Sequence, residues 1–264
     1  MRVPKTIVLV FLVSFIPIQL NSQQTTAAVK RDQQAVLILT QVLQAAGGPS
    51  AVGSIQSFTG LGTITCRWSD GDVEGSAVVR GRGLNQFRLD ATVPTGVLSW
   101  AVSNGSGQVK TIGGAVTPIP YHNAVNFGSL ILPIAHVSAA LNDPATNILY
   151  IGAVLVNGHE FQEVRVEPFA TEGDPDNLLS KFNAKSFFID SSTFQISRTL
   201  NVIHPNGDFT QDYPHEVDFG NYQQVNGVYV PFSIAEKVAG QDTWTLRLSA
   251  ISFNSALTDA DFQF

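Results

Sequence analysis

The sequence has little cysteine and little charge. Cys66 is its only cysteine, so no disulfide can form within the chain and the fold must depend on core packing and hydrogen bonds. Only 14% of the residues are charged, and 21 acidic residues outnumber 15 basic ones, which gives a net charge of −6 at pH 7. Nucleic-acid binding needs a basic surface, so this balance argues against a nucleic-acid partner.

Motifs for metal binding and catalysis are also lacking. The five histidines form no His-x-x-x-His or His-Glu-x-x-His pattern, so we expect no metal site and no cofactor. Gly105-Ser106-Gly107 has the composition of part of a nucleophile elbow but lies in a predicted turn between two strands, not between a strand and a helix. We therefore expect no enzymatic activity. An exported hydrolase with residues far apart in the sequence is a less favoured alternative.

The N-terminus has the order of a secretory signal peptide. Arg2 and Lys5 precede an apolar run over residues 6–20, and polar residues 21–24 follow. The run is shorter than the about 20 residues of a membrane-spanning helix. We expect cleavage after Ser22, which leaves residues 23–264 as one soluble, monomeric domain in the periplasm or outside the cell. An uncleaved anchor is the alternative.

Strand patterns dominate the rest of the chain, most clearly over residues 187–253. Trp244, Leu246 and Leu248 alternate with polar residues, which gives a strand with one apolar and one wet face. Three Asn-Gly pairs, at residues 104–105, 157–158 and 226–227, predict tight hairpin turns. The sequence therefore predicts a large antiparallel sheet whose apolar face must be covered by other elements.

Two segments have helical spacing and can supply that cover. The first begins near Ala35 and ends before Gly47-Gly48. The second spans residues 121–141, is apolar on more than one side, and is kinked or divided at Pro133. We expect this second segment to lie across the sheet as a lid.

One C-terminal hairpin has a family resemblance. Residues 218–222 form a strand that ends in Tyr222, and residues 225–232 contain an Asn-Gly turn followed by a strand with Pro231. With the basic turn and arginine-bearing strand over residues 81–90, this hairpin resembles exported proteins related to the LolA carriers of outer-membrane lipoproteins. The family's proline in that basic turn is missing here, and residues 113–143 match no pattern of the family.

The resemblance implies a mainly β (α+β) fold, a curved and incompletely closed antiparallel β-barrel with an N-terminal helix and lid helices over its concave face. It also implies a periplasmic, non-enzymatic carrier or sensor that binds a lipid, a lipoprotein acyl chain or a similar apolar ligand between sheet and lid. An envelope interaction or regulatory module that grips a protein partner is the alternative.

The candidate ligand-binding residues are the apolar side chains of the sheet and lid that the proposed cavity would bring together. They are Phe87, Leu89, Trp100, Phe127, Leu130, Ile131, Ile134 and Trp244. The competing interpretation is that these residues pack on one another as a filled core.

Arg88 is the candidate latch of the lid. In the carriers that this chain resembles, an arginine on a strand donates hydrogen bonds to carbonyls of the lid helix and holds the empty site closed. Arg88 has the matching position, Arg80 and Arg82 are competitors, and an ordinary solvent-facing arginine is the alternative.

Overall fold

The protein is built on one large antiparallel sheet with short α-helices on its concave side. The computed structural model describes residues 28–168, 178–205, 207–208 and 210–264. The helices are α1 Gln33–Ala45, α2 Pro49–Gly53, α3 Tyr121–Ala124, α4 Pro133–Asn142 and α5 Leu178–Asn183, with short 3-10 helices at Phe127–Ser129 and Asp259–Phe262. The strands are β1 Ser57–Trp68, β2 Gly71–Arg82, β3 Gln86–Val93, β4 Gly96–Ser103, β5 Ser106–Lys110, β6 Val116–Ile119, β7 Thr146–Val156, β8 His159–Pro168, β9 Lys185–Asp190, β10 Ile196–Ile203, β11 Tyr213–Val225, β12 Val228–Val238 and β13 Gln241–Phe253.

The order of the 13 strands leaves the sheet open between β6 and β7. The order is β6-β5-β4-β3-β2-β1-β13-β12-β11-β10-β9-β8-β7, and the first strand pairs with the last in the chain. Strands β6 and β7 follow each other in the chain yet form opposite edges, and in the described residues they are not hydrogen-bonded to each other. The predicted fold class, an incompletely closed antiparallel barrel with helices, is confirmed.

The open sheet forces one segment to cross its concave side. Because β6 and β7 lie at opposite edges, the chain between them must run from edge to edge. We call residues 121–142, with α3, the first 3-10 helix and α4, the lid segment. Pro133 occupies the first turn of α4, where its missing N–H is not needed, so it begins a second helix as the sequence indicates.

The lid segment is bent by 100° between its two halves. Among the described residues, no single helix has the length and apolarity needed to cross a membrane. One bent pair, Tyr121–Ser129 with Pro133–Asn142, meets both criteria only when its halves are combined.

The alternation predicted for the strands sets the two faces of the sheet. Trp244, Leu246 and Leu248 are buried on the concave face. Leu246 lies opposite Ile64 of β1 and Ile234 of β12, which are also buried. The Asn and Gly of all three predicted Asn-Gly turns have positive φ, as type I′ hairpins require.

The concave face and the helices share one apolar core. Its buried side chains include Leu39 of α1, Ile131 and Val137 of the lid segment, and Phe187 and Leu246 of the sheet. Burying each such side chain contributes about 1.5–3 kcal/mol, so this layer-on-layer contact is the main stabilising feature. Cys66 also lies in this core, and burial raises the pKa of its thiol.

The structure differs from the sequence prediction in two strands. The sequence pattern does not indicate strand β6, because Pro118 interrupts the run of strand-forming residues. The strand forms because it lies at the edge of the sheet, where a proline that donates no hydrogen bond is tolerated. The alternation of apolar and polar residues predicts a strand from residue 193 to residue 199. Strand β10 begins instead at Ile196, because the Asp190 carboxylate accepts hydrogen bonds from the Ser192 and Thr193 main-chain amides and holds them in a turn. The predicted signal peptide, residues 1–22, lies outside the described residues, and the predicted single domain over residues 23–264 stays a prediction.

Candidate functional site

All eight predicted cavity residues belong to or pack against the apolar core that the sheet and the helices share. Phe87 and Leu89 of β3 and Trp244 of β13 are buried, and Trp100 of β4 lies directly opposite Leu89. They form one apolar cluster with the lid residues Phe127, Leu130, Ile131 and Ile134. The structure therefore brings these side chains together, while their contact with a ligand stays a prediction.

The lid segment is closed on the sheet in this conformation. Ile131 is fully buried, and the Phe87 ring lies 5.7 Å from the Phe127 ring, centroid to centroid. A gap between α1, α4 and the sheet, beside Ile134 and Tyr222, has a volume of about 20 Å³, which is room for about one water molecule. A ligand of acyl-chain size does not fit in this gap while the lid segment is closed.

Two larger clefts lie along the margins of the lid segment. One, of about 360 Å³, lies beside α3 and is lined by Tyr121, Val125 and Val102. The other, of about 240 Å³, separates α4 from α2 and the ends of β1 and β2. Leu84, in the turn after β2, borders both clefts. The lid segment therefore has an open cleft along two of its margins.

A third cleft lies on the convex face of the sheet and is separate from this site. It has a volume of about 450 Å³ and is lined by Val154, Phe161 and Phe188, with Arg198 and Asp218 at its polar side. Arg198 bonds to Asp218 with Nε to Oδ1 at 2.6 Å. These side chains alternate with the buried concave-face residues of the same strands, so the sheet itself separates this cleft from the lid segment.

Gly128 allows the lid segment to approach the sheet closely. A Cβ atom at this position would lie 1.7 Å from the main-chain oxygen of Leu84. Real Cβ atoms never come so close to an oxygen, so any other residue would push the 3-10 helix away from the β2–β3 turn. Glycine at this position is therefore a requirement of lid closure.

Arg31 holds the C-terminal end of the lid segment. Its guanidinium donates hydrogen bonds to the main-chain oxygens of Ala140 (3.2 Å), Leu141 (3.0 Å), Asp143 (2.7 Å) and Thr146 (3.3 Å). The first three carbonyls lie at the end of α4, where the helix leaves its last acceptors unsatisfied and its dipole is negative, and the fourth lies at the start of β7. Arg31 is positioned by a parallel bridge to Ile148 at the edge of β7.

Arg88, the predicted latch, lies on the convex face. Side chains alternate along β3, so Arg88 points away from Phe87 and Leu89, and it bonds to Asp90 with Nε to Oδ1 at 2.9 Å and to the Gln263 main-chain oxygen at 2.7 Å. The competitor Arg80 also bonds to Asp90, at 2.8 Å.

Arg82, the other competitor, bonds to the Leu257 main-chain oxygen at 3.1 Å. Arg88 and Arg82 therefore hold the C-terminal segment against the convex face of the sheet, while Arg80 bonds to Asp90 within the sheet. Arg31, which bonds to main-chain oxygens of the lid segment, is therefore the candidate latch in place of Arg88. Sequence pattern misses Arg31, because nothing around residue 31 indicates that the chain meets α4 about 110 residues later.

Lys185 is a charged side chain inside the site. It is 3% exposed, and its Nζ donates to the Ser129 Oγ at 2.6 Å and lies 3.4 Å from the Asn126 main-chain oxygen. Both acceptors belong to the lid segment. Burial lowers the pKa of Lys185 from 10.5 to about 8. The sequence does contain a signal for this residue, because a period of two places Lys185 on the same face as Phe187 and Ile189.

Two of the histidines, His204 and His215, have ring nitrogens within bonding distance of side-chain oxygens. Both ring nitrogens of His215 lie within bonding distance of oxygens, Nδ1 3.0 Å from the Asn201 Oδ1 and Nε2 2.9 Å from the Glu236 Oε1. His204 Nε2 lies 2.8 Å from the Asp212 Oδ1. In the part of the chain that the structure describes, no group of three or more His, Cys, Asp or Glu side chains could hold a metal ion.

Comparison with known proteins finds similarity in structure only. No protein-family model matches the chain, and no curated protein sequence is similar to it. Two solved structures superpose over most of their length. A LolA superfamily protein from Nitrosomonas europaea has a TM-score of 0.52 at 11% identity and covers 85% of this chain and 96% of its own. An outer membrane lipoprotein-sorting protein domain from Vibrio parahaemolyticus has a TM-score of 0.51 at 11% identity, with 87% and 96% covered.

The chain has the LolA-like fold. The resemblance predicted from the sequence is therefore confirmed at the level of the fold. At 11% identity the likeness extends to architecture and not to individual site residues. In this LolA-like chain, the roles of Arg31, Gly128 and Lys185 must be argued from their own contacts.

Proposed function

We propose that this LolA-like chain is an exported, non-enzymatic carrier or sensor that binds a lipid, a lipoprotein acyl chain or a similar apolar ligand under its lid segment. The observation that carries the proposal is the lid segment itself. It crosses the open side of an apolar half-barrel, is bent by 100° at its middle, and borders a cleft on each margin.

The lid segment occupies the place that an acyl chain would take. Its inner side chains, such as Leu130 and Ile131, cover Phe87 and Leu89, and all four are buried apolar groups. If the lid segment moves outward, the apolar surface it leaves must be covered again. Each methylene of an acyl chain that replaces it contributes about 0.8 kcal/mol, so a long chain offsets the loss of lid contacts.

The polar contacts of the lid segment suit reversible opening. Besides its apolar packing, it is held by Arg31 at the end of α4 and by Lys185 at Ser129. The side-chain amides of Asn123 and Asn126 also donate hydrogen bonds to main-chain oxygens outside the lid segment. Motion of such segments is a common way to admit and release a bound molecule. The absence of a catalytic pattern in the sequence and the occupied ring nitrogens of His215 are consistent with binding without chemistry.

Export and a periplasmic or extracellular location are part of the proposal. The support is the charged, apolar and polar order of residues 1–24 together with the LolA-like fold. Fractionation of cells that express the full chain tests the location. Mass spectrometry of the mature N-terminus tests the cleavage after Ser22.

Ligand binding is tested by native mass spectrometry and by dye displacement. We expect protein purified from the periplasm to carry co-purifying lipid. We expect the delipidated protein to bind the neutral dye 1-aminoanthracene and to release it when a C16 amphiphile is added. Leu130→Asp should weaken this binding more than it lowers stability, whereas Leu37→Asp, on the exposed side of α1, is the control.

Lipid detection and dye displacement together distinguish a carrier from a protein with a filled core. A ligand-free protein that binds neither dye nor amphiphile would contradict the carrier proposal. It would favour the alternative of an envelope interaction module that grips a protein partner.

A further inference from the structure

Lys185 is a buried cation on an otherwise apolar wall. It occupies the first position of β9, and the next two residues on the same face, Phe187 and Ile189, are fully buried. Its ammonium is bonded only to neutral oxygens, those of Ser129 and Asn126, among the residues that the structure describes. No carboxylate in that part of the chain forms an ion pair with it.

A charge in such a place is unfavourable if its only role is to pack. Burying an ammonium without an opposite charge is strongly destabilising, and a leucine or methionine would fill the same space without that loss. A buried, perturbed titratable group inside a candidate site is a common sign of a functional role.

Both acceptors of Lys185 belong to the lid segment. When the lid segment moves away from the sheet, the ammonium loses the Ser129 hydroxyl and the Asn126 carbonyl in the same step. It then faces the space that a ligand enters, still surrounded by apolar walls. An anionic group is the partner that best replaces two neutral acceptors there, because charge-assisted hydrogen bonds are roughly twice as strong as neutral ones.

We propose that Lys185 binds the anionic head group of the ligand, a carboxylate or a phosphate, while the acyl chain takes the place of the lid segment. This inference rests on the proposed carrier function and adds the chemical class of its ligand, an anionic amphiphile. Ser129 then has a second role, because it competes with the head group for the ammonium and releases it only when the lid opens.

The titratable group that faces Lys185 is His136 of α4. The His136 ring lies against Phe187, with 5.6 Å between ring centroids, and burial together with the charge of Lys185 lowers its pKa to about 3. His136 is therefore neutral at pH 7. Since Lys185 itself loses its proton near pH 8 in the closed protein, the preference for an anionic ligand should decline as the pH rises from 7 to 10.

The first test compares head groups on one chain length. The measurement is the displacement of bound 1-aminoanthracene at pH 7 by palmitate, hexadecyl phosphate or hexadecanol. It is made on the wild type and on Lys185→Met. We expect the wild type to bind at least one of the two anions about tenfold or more tightly than the alcohol. Lys185→Met should lose this preference and keep its affinity for the alcohol. Lys181→Met, which removes a half-exposed lysine paired with Asp212, is the matched control and should behave as the wild type.

The two anions distinguish the source of the head group. A preference confined to palmitate indicates a free fatty acid, and a preference confined to hexadecyl phosphate indicates a phospholipid-type head group. Equal preference for both indicates that the charge alone is recognised. Each of these results supports the proposal, provided that the preference for the anion is absent in Lys185→Met.

The second test measures the affinities of Ser129→Ala for anion and alcohol. The direction of the change in their ratio distinguishes a head-group site from a merely structural role of Lys185. If Lys185 is a head-group site, removal of its competitor should raise the affinity for the anion relative to that for the alcohol. If Lys185 only attaches the lid segment to the sheet, Ser129→Ala should change the affinities for anion and alcohol by the same factor.

Three results overturn the proposal. The first is equal affinity of the wild type for the anions and the alcohol. The second is an unchanged preference for the anion in Lys185→Met. The third is a change by the same factor in the affinities of Ser129→Ala for anion and alcohol. In each of these the protein still binds amphiphiles, so the carrier function stands and only the head-group site fails. If no amphiphile displaces the dye, the carrier function fails and the head-group site fails with it.

Discussion

At the scale of single residues, three residues control the contact between the lid segment and the sheet. Arg31 bonds to the end of α4, Gly128 lets the 3-10 helix approach Leu84, and Lys185 bonds to Ser129 from the opposite wall. None of these three acts by apolar burial, which most of the site uses. Their substitution therefore changes lid closure without removing the apolar surface that a ligand would contact.

Arg31→Ala should loosen the end of the lid segment. The variant loses hydrogen bonds to four main-chain oxygens, one of them at 2.7 Å, and leaves the last carbonyls of α4 with water as their partner. Because this arginine lies at the margin of the protein, we expect a loss of about 1–3 kcal/mol in the free energy of unfolding, measured by urea denaturation. Lys30→Ala, which changes the neighbouring and mostly exposed lysine, should stay close to the wild type. Equal stability of both variants would refute the latch.

Lys185→Met should change the stability of the ligand-free protein at alkaline pH. Below pH 8 the lysine is charged in both states, and the wild type keeps a charge in its core. Between pH 8 and 10.5 the folded lysine loses its proton while the unfolded one keeps it, so this residue makes stability rise with pH over that window. The unfolding free energy of the wild type relative to Lys185→Met should rise by about 3 kcal/mol across it.

That difference isolates the lysine from other groups. The Cys66 thiol, whose pKa is raised by burial, is present in both proteins, so its contribution cancels. A difference that stays flat from pH 7 to 11 would show that Lys185 is not desolvated in the folded protein.

At the scale of elements, the lid segment differs from the other helices in how it is placed. Helix α1 packs along the concave face with five buried residues and follows a pattern that the sequence displays clearly. The lid segment is divided by Pro133 and connects the two edge strands β6 and β7. Its position is therefore set by the sheet topology and by close contact at Gly128, and only in part by its own helical pattern.

Gly128→Ala should prevent the lid segment from closing. The added Cβ would overlap the Leu84 main-chain oxygen, and neither backbone can move without losing packing. We expect a loss of about 1–3 kcal/mol in unfolding free energy and stronger 1-aminoanthracene binding by the ligand-free protein. Gly53→Ala, at the end of α2, is the control because a Cβ there meets no atom within 4 Å. Unchanged stability and dye binding in Gly128→Ala would contradict this account of closure.

At the scale of the whole molecule, the sheet is a stable frame and the lid segment is a separable layer. The central strands β1, β12 and β13 are paired on both sides along most of their length, and their concave-face side chains are fully or nearly fully buried. The lid segment has no strand pairing and is flanked by clefts of about 360 and 240 Å³. Regions with such different local packing open with different free energies.

Hydrogen exchange should resolve these two layers. We expect the amides of residues 121–142 to exchange faster than those of β1, β12 and β13 at pH 7, and to slow when an amphiphile is bound. Mass spectrometry of peptic fragments measures both. Helix α1, which packs on the same concave face, is the internal control and should exchange more slowly than the lid segment. Uniform protection across lid and sheet would indicate a permanently filled core.

The sequence accounts for most of the elements and for part of the candidate site. Alternation places Phe87, Leu89 and Trp244 on one face, and the Asn-Gly pairs locate three hairpin turns, because both signals depend on neighbouring residues only. The same alternation could have identified Lys185. It could not identify Arg31, whose partners in α4 are about 110 residues away.

The sequence by itself determined a one-faced antiparallel sheet, a divided apolar helix at Pro133, and the set of apolar residues at the site, because each follows from local spacing. Only the tertiary structure decided that β1 pairs with β13 and that β6 and β7 become opposite edges. Strand order depends on contacts between distant parts of the chain, which no local period encodes. That order carries residues 121–142 across the concave face and brings Arg31, Gly128 and Lys185 to the positions where they control it.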